Sequence, residues 1–337
     1  MHQSARLIPA LIAGALLAAG ALLLSACEEP KPEPKPEPSP APVVEKTPAS
    51  QEQLAAVERF RNGTVELLKE LESCSAELLA LGNQFLEQTK EDKLDALKTQ
   101  WQLCFNQYQA STVLMATNPE QQTILAEARS RLGNPLTMPG FIDSVEEYPY
   151  SGIVNDASLP LDAETLRQQH GITDEAEVSI GFDVVAFLLW GEHRQQQDLP
   201  PRPVSDYESA TSWEDSTTDL PIEEHPNNRR RRLLGLTLEL LAADCQALVG
   251  SWQSGGVPDS QEAFTEWRQH QLQALADGLS QQQENPVLRK HLINWLRNQI
   301  VPGVELDELT EDASTEALLQ RLSGAEDIQP AATTGPG

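Results

Sequence analysis

Apolar side chains recur every three or four residues along the segment between residues 64 and 108. The first series comprises Thr64, Leu67, Leu71, Cys74, Leu78, Leu81 and Phe85, and the second comprises Leu94, Leu97, Trp101, Cys104 and Tyr108. Such spacing places the side chains on one face of a long amphipathic helix, as in a helical bundle. The polar residues 88–92 lie between the two series and predict a turn, so we expect a helical hairpin.

Two cysteines of this hairpin come level with each other when the chain is folded at the turn. Cys74 and Cys104 then occupy facing positions on the two helices. In an oxidising compartment such a pair forms a disulfide, which we predict here; the alternative is two unpaired cysteines in the core. Cys245 lies on a third apolar stripe and is interpreted as a small buried hydrophobic residue.

Helical spacing continues after the hairpin, and the sequence has no extended period-two pattern typical of a strand. Pro and Gly interrupt residues 118–178, which predicts short helices and ordered loops there. Further helices are expected at about 177–191, 229–253, 260–283, 286–299 and 305–322, and Asn227 or Asn228 is expected to cap the second of them. We therefore predict an all-α fold. Its domain, 51–323, consists of two helical-bundle halves, at about 51–150 and 177–323, joined by an irregular segment and followed by a flexible tail at 324–337.

The N-terminus has the features of a cleavable export signal. Arg6 precedes an apolar run over residues 7–24, which ends in Leu24-Ser25-Ala26-Cys27. These four residues resemble the bacterial lipobox, in which the cysteine is acylated and the peptide is cut just before it. Residues 1–26 are therefore predicted to be a lipoprotein signal peptide and Cys27 the lipid-bearing N-terminus. A membrane-spanning helix is the alternative, since the run approaches the ~20 residues that cross a bilayer.

Residues 27–50 contain repeated Glu-Pro and Lys-Pro pairs. Proline favours the extended polyproline conformation, so we predict a semi-rigid tether of roughly 3 Å per residue. Glu28 follows the lipid-bearing cysteine, whereas Gram-negative lipoproteins that stay in the inner membrane carry Asp at that position. We expect the protein to be anchored in the cell envelope through Cys27, on the periplasmic face of the outer membrane.

Asp and Glu outnumber Lys and Arg by 51 to 24, which gives a formal net charge of −27 at pH 7. Nucleic acid and anionic lipid headgroups repel such a surface, so no nucleic-acid partner is expected. Cations, basic peptides and metal ions are attracted to it. The simpler alternative is that the acidic surface only keeps the protein soluble.

Residues 179–191 read Ser-Ile-Gly-Phe-Asp-Val-Val-Ala-Phe-Leu-Leu-Trp-Gly and resemble the signature helix of the imelysin family. In that family a Gly-x-His-x-x-Glu motif precedes an aromatic residue, two apolar residues, Trp and Gly. Weaker similarities stand in the expected order, at Trp101 with Tyr108, at residues 149–162 and around Asn228-Arg229-Arg230. The resemblance implies an all-helical protein of two bundle-like halves, exported to the bacterial envelope and often tied to iron uptake. The family is also classed as a metallopeptidase.

The sequence departs from this motif at both positions that the family assigns to metal ligands. Asp183 stands where the family has His, and Ala186 stands where it has Glu. Because a single carboxylate does not make a zinc or iron site, we expect no cofactor beyond a weakly bound divalent cation. Ala110 and Ser111 also stand where relatives tend to carry an acidic residue. We therefore predict no catalytic residue and no metal-ligating residue.

A carboxylate inside the apolar signature helix is costly unless it is paired. We expect Arg229 or Arg230 to pair with Asp183 in a ligand-binding cleft that includes Trp190; alternatively, Asp183 is exposed at the helix start, where acids are favoured. The leading hypothesis is a non-catalytic, envelope-anchored, imelysin-like protein that binds an envelope protein or a small ligand. A metallopeptidase is one alternative, and the other is an interaction scaffold that presents the acidic loop 195–226.

Overall fold

A computed structural model describes residues 46–297 except 117, 195, 216, 253–255 and 282–284. Eight α-helices and no strand occur in these residues, which confirms the predicted all-α class. The predicted signal peptide, the lipidation site at Cys27, most of the tether, the helix at 305–322 and the tail lie outside the described residues.

Loops and short 3₁₀ turns connect the helices. Their bounds are α1 Gln51–Glu87, α2 Glu91–Ala116, α3 Gln122–Leu132, α4 Ala163–Gln169, α5 Phe182–Trp190, α6 Pro226–Ser251, α7 Gln261–Gln281 and α8 Pro286–Arg297. The capping box of α1 follows from its sequence, since Ser50 accepts from the backbone N–H of Gln53 and the Gln53 side chain accepts from that of Ser50.

The predicted hairpin is formed by α1 and α2, which are joined by residues 88–90. Cys74 and Cys104 form the predicted disulfide, and their Cα atoms are 5.5 Å apart. Most of the apolar series on both helices, from Leu71 onwards, packs in one core together with α5 and α6, with Leu81 only partly buried. Cys245 of α6 forms no disulfide and is fully buried, and burial raises the pKa of its thiol to about 12. This agrees with its interpretation as a hydrophobic residue.

α6 packs along α1 and is the central helix of the core. Gly82 of α1 allows the close contact, because a Cβ at this position would lie 2.2 Å from Leu238 Cδ1 of α6. By length and composition α6 is apolar enough to cross a membrane, but 50% of its most apolar stretch is buried inside the protein. That burial is typical of a core helix.

α5 begins at Phe182, whereas the sequence predicted a start near 177. Gly181 explains the difference, because its φ of 101° lies in a region that L side chains rarely adopt. A Cβ on Gly181 would also lie 2.9 Å from the carbonyl oxygen of Arg131. The backbone therefore turns at Gly181, and α5 is the nine-residue helix that follows this turn.

The cap of α6 also differs from the prediction. His225 is the N-cap, and its Nδ1 accepts a hydrogen bond of 3.2 Å from the backbone N–H of Asn227. Pro226 then occupies the first helical position, where its missing N–H costs nothing. Asn227 and Asn228 are thus inside the first turn, and their carboxamides are available to hold neighbouring loops.

Candidate functional site

Asp183 lies in the first turn of α5, and its carboxylate faces the guanidinium of Arg194. The distance from Arg194 Nη1 to Asp183 Oδ1 is 3.5 Å, and the two side chains are 32% and 25% exposed. Burial raises the pKa of Asp183, and the charge of Arg194 opposes that rise. The prediction that Arg229 or Arg230 pairs with Asp183 is therefore wrong. The partner comes instead from the 3₁₀ turn Gly191–Arg194, directly after α5.

An aromatic cluster from α2 and α5 lies beside this ion pair. The Cζ atom of Arg194 is 4.2 Å from the ring centroid of Trp101 and 5.5 Å from that of Phe105. Trp190 packs edge-on against Trp101, with ring centroids 5.3 Å apart. The rings stabilise the guanidinium through cation–π interactions. Two of the four predicted cleft residues, Asp183 and Trp190, thus belong to one cluster.

Other side chains near the motif positions offer no metal ligands. Ala186 is 1% exposed, so the position of the family's glutamate is a methyl group inside the core. Ala110 and Ser111 are fully buried, and the Ser111 hydroxyl donates to the carbonyl of Tyr108. Among the residues that the structure describes, no three His, Cys, Asp or Glu side chains form a metal-binding group. This donor set does not fit the transition-metal ion that the motif implies.

Arg229 is buried at the start of α6, where it holds the loop that precedes α4. Its guanidinium donates to the carbonyls of Ile153, Val154 and Leu159 over 2.9–3.0 Å and forms an ion pair with Glu224. All of these partners belong to the protein itself. Arg229 therefore positions loop backbone and does not present a charge to a ligand.

Arg230 pairs with Asp143, a fully buried carboxylate that the sequence analysis missed. Arg202 Nη1 lies 2.9 Å from the same carboxylate and 3.2 Å from Asp206. Burial alone would raise the pKa of Asp143, but Arg202 and Arg230 outweigh it and hold the pKa below its usual range. Asp143 lies in the Pro/Gly-rich segment without any periodic pattern, so its sequence context gave no signal.

Asn228 also lies at the start of α6, and together with Arg229 and Arg230 it forms what is here called the Asn-Arg-Arg clamp. Its carboxamide donates to the carbonyls of Ala210 and Ile222 and accepts from the N–H of Ala210, all within 3.0 Å. The Asn-Arg-Arg stretch therefore fastens the loops at 143–159 and 206–224 to α6. It does not form the predicted cleft with Asp183 and Trp190.

The described residues form a groove of about 990 Å³, here called the loop groove. Its walls come from residues 138–159, with Gln169, Glu192 and Gln196 on the other side. A tight turn forms part of the wall, closed by hydrogen bonds between the backbones of Val145 and Tyr148. The sequence predicts only short helices and ordered loops in this segment, because a groove made by irregular backbone has no periodic signature.

The profile of the peptidase family described as imelysin matches residues 69–290, which covers α2–α7, most of α1 and the start of α8. A comparison with curated proteins gave no match.

Proposed function

The chain belongs to the imelysin family, and from that premise we propose that it is an envelope-anchored binding protein that performs no catalysis. The observation that carries this proposal is the contact of Asp183 with Arg194. At the motif position the chain offers one carboxylate, and a cationic side chain of the protein already faces it. A divalent cation would have to compete with that guanidinium for a single ligand.

The buried methyl group of Ala186 supports the same proposal. Metal sites in enzymes need three or more protein ligands with good geometry, and loss of two of them removes both affinity and Lewis acidity. A His and a Glu one turn apart on a helix share a face and hold one ion together. Asp183 and Ala186 occupy that spacing here and provide only one donor group.

Elemental analysis and a peptidase assay on the purified full chain test this proposal. We expect zinc and iron well below one equivalent per chain. We also expect no EDTA-sensitive cleavage of unfolded casein. Arg194→Ala serves as a matched variant, and we expect it to remain metal-free because a single carboxylate is still the only donor. One equivalent of tightly held transition metal together with EDTA-sensitive cleavage would contradict the proposal.

Anchoring through Cys27 is the second part of the proposal, and it is supported by the lipobox-like sequence and the proline-rich tether. Cys27→Ser is expected to abolish incorporation of radiolabelled palmitate and to release the protein from the membrane fraction. Density-gradient separation of inner and outer membranes tests the expected sorting by Glu28. Lipid labelling that persists in the Cys27→Ser variant would exclude the anchor.

A role in iron uptake is proposed on the family resemblance. A strain that lacks the protein is expected to grow more slowly than the wild type when iron is limiting, and equally well when iron is added. Equal growth of the two strains under iron limitation would remove this part of the proposal without affecting the non-catalytic assignment.

A further inference from the structure

We propose that the loop groove binds a basic segment of a partner protein in which arginine or lysine residues alternate with apolar or aromatic residues. This inference rests on the proposed binding function and adds the site and the class of partner. The groove shares no lining residue with the Asp183 cluster, and the Asn-Arg-Arg clamp supports one of its walls without lining it. Its size, about 990 Å³, is at the upper end of ligand pockets and suits several side chains of an extended segment.

Three apolar side chains of the groove are exposed to an unusual degree. Tyr150 is 88% exposed, Tyr148 is 64% exposed and Met138 is 49% exposed. Exposed apolar residues grouped on one surface mark interaction sites more often than isolated ones do. Tyrosine and methionine are also enriched where proteins bind partners, because they provide large contact areas that adapt to the ligand.

The polar part of the groove carries charges of one sign. Its acidic side chains are Glu146, Glu147, Asp156 and Glu192, and no Lys, Arg or His lines it. Within the described part of the chain, none of these four carboxylates forms an ion pair with a basic side chain. Glu146 and Glu147 are exposed, whereas Asp156 accepts hydrogen bonds from Ser158 and Glu192 accepts one from the backbone N–H of Glu146. A cationic group of a ligand would supply the opposite charge that this lining lacks.

The groove is held in shape before any ligand arrives. Arg229 donates to the carbonyls of Ile153 and Leu159 in one wall, and the backbone N–H of Glu146 donates to the carboxylate of Glu192 across 2.7 Å. Asp143 belongs to the same loop, and its ion pair with Arg230 holds the start of that loop against α6. A preformed site loses less entropy on binding than a disordered loop would.

The groove lies at the end of the core where α1 ends and α6 begins. α1 begins at Gln51, next to the tether, and its C-terminal end contacts the start of α6, where Arg231 donates to Leu86. The groove adjoins that start of α6 through Arg229. The 37 residues of α1 span roughly 55 Å, so the groove lies near the opposite end of this helix from Gln51.

Fluorescence anisotropy on the full chain tests the proposal. The probe is a fluorescein-labelled hexapeptide in which arginine alternates with leucine and tyrosine, and its counterpart has every arginine replaced by glutamate. We expect saturable binding of the basic peptide that weakens as salt is raised, and at least tenfold weaker binding of the acidic peptide. Equal binding of both peptides, or none of the basic one, would overturn the inference.

Two variants locate the site. Glu146→Gln/Glu147→Gln removes two exposed charges, and Tyr150→Ala removes the most exposed ring, so neither disturbs the core. Each is expected to weaken peptide binding about tenfold, which corresponds to about 1.4 kcal/mol. The matched control is Glu58→Gln/Glu66→Gln, which removes two exposed charges from α1 and is expected to change binding less than twofold. An equal loss in the control would show attraction to the acidic surface in general and would refute the site.

Competition distinguishes a peptide from a small cation. Benzylammonium and spermidine are expected to displace the peptide only at concentrations at least a hundredfold higher than that of an unlabelled basic peptide. Displacement at equal concentration would replace the proposed partner with a small organic cation. If the peptide does not bind while the chain remains metal-free and inactive, the groove inference fails and the proposed function stands.

Discussion

Arg194 Nη1 lies 3.5 Å from Asp183 Oδ1, so a guanidinium of the protein faces the only carboxylate of the motif helix. The Arg194 guanidinium lies over the ring of Trp101, whose indole N–H donates to the carbonyl of Phe182 at the start of the same helix. The cation is thus fixed by both electrostatics and aromatic packing. Its position depends on the turn directly after α5, which reverses the chain beside the helix.

The pH dependence of stability tests the environment of Asp183. Because burial raises the pKa of this carboxyl in the folded protein, the contribution of Asp183 to stability is present below its unfolded pKa and is expected to be lost as the pH rises through the folded pKa. Asp183→Asn removes the titration. The variant is therefore expected to gain in Tm relative to the wild type as the pH rises from 4 to 7. A Tm difference that is constant over this range would count against the raised pKa.

Arg194→Gln provides the complementary measurement. Arg194 lowers the pKa of Asp183 against the larger effect of burial, so its removal is expected to raise that pKa further. The loss of stability with increasing pH should then occur at a higher pH than in the wild type. Thermal unfolding at half-unit pH steps follows the shift, and the double variant with Asp183→Asn should show none.

The disulfide between Cys74 and Cys104 closes a loop with a sequence separation of 30 residues. Replacing both cysteines by alanine is expected to lower the free energy of unfolding by roughly 3.6 kcal/mol in the loop-entropy model. Urea denaturation measures the loss, and dithiothreitol should lower the midpoint of the wild type but not that of the double variant. Thiol titration of the unreduced, denatured chain should find neither Cys74 nor Cys104 reactive, and labelling of either would contradict the bond.

The hairpin and its disulfide could be predicted because helical periodicity determines which residues face each other. Once Cys74 and Cys104 fall on facing stripes, only the turn position is needed to bring them level. The end of α5 near Gly191 was predictable for the same reason, since glycine commonly ends a helix. The start of α5 was not, because the positive φ of Gly181 depends on the close approach of Arg131.

The partners of the arginines could not be predicted from the sequence. Arg229 donates to loop carbonyls and Arg230 to Asp143, and both sets of partners come from irregular segments whose path no periodic pattern specifies. The sequence indicated only that Arg229 and Arg230 could reach the carboxylate of Asp183 in the apolar signature helix. It did not indicate that Arg230 would pair with Asp143 instead of Asp183.

Gly181→Ala tests the backbone conformation at the start of α5. The φ of 101° and a Cβ position 2.9 Å from the Arg131 carbonyl oxygen predict a loss of about 2 kcal/mol or more. Gly250→Ala is the control, since it lies in α6 and a Cβ there meets nothing within 4 Å. That variant is expected to be neutral or to gain up to about 1 kcal/mol. Equal denaturation midpoints for the two variants would contradict the strain at Gly181.

Asp143→Asn is expected to be the most destabilising single carboxylate replacement in the clamp. The carboxylate is fully buried between Arg202 and Arg230, so its loss leaves two buried cations without their shared partner and costs about 3–5 kcal/mol. Asp206→Asn is the matched control, because Asp206 contacts the same Arg202 nitrogen but is 34% exposed. Its replacement is expected to cost less than about 1 kcal/mol.

Acid unfolding distinguishes the charge of Asp143 from its shape. Arg202 and Arg230 overcome the effect of burial and hold the pKa of this carboxyl below its usual range, so the ionised group stabilises the folded protein at neutral pH. That contribution is present above the unfolded pKa and is lost as the pH falls through the folded pKa. The gap in unfolding free energy between wild type and Asp143→Asn, measured by urea denaturation, should therefore narrow below about pH 4. If the difference in unfolding free energy between the two proteins is the same at pH 7 and pH 3, Asp143 acts through packing alone. Arg229 and Asn228 would then hold the loops around the groove without an ionic contribution from Asp143.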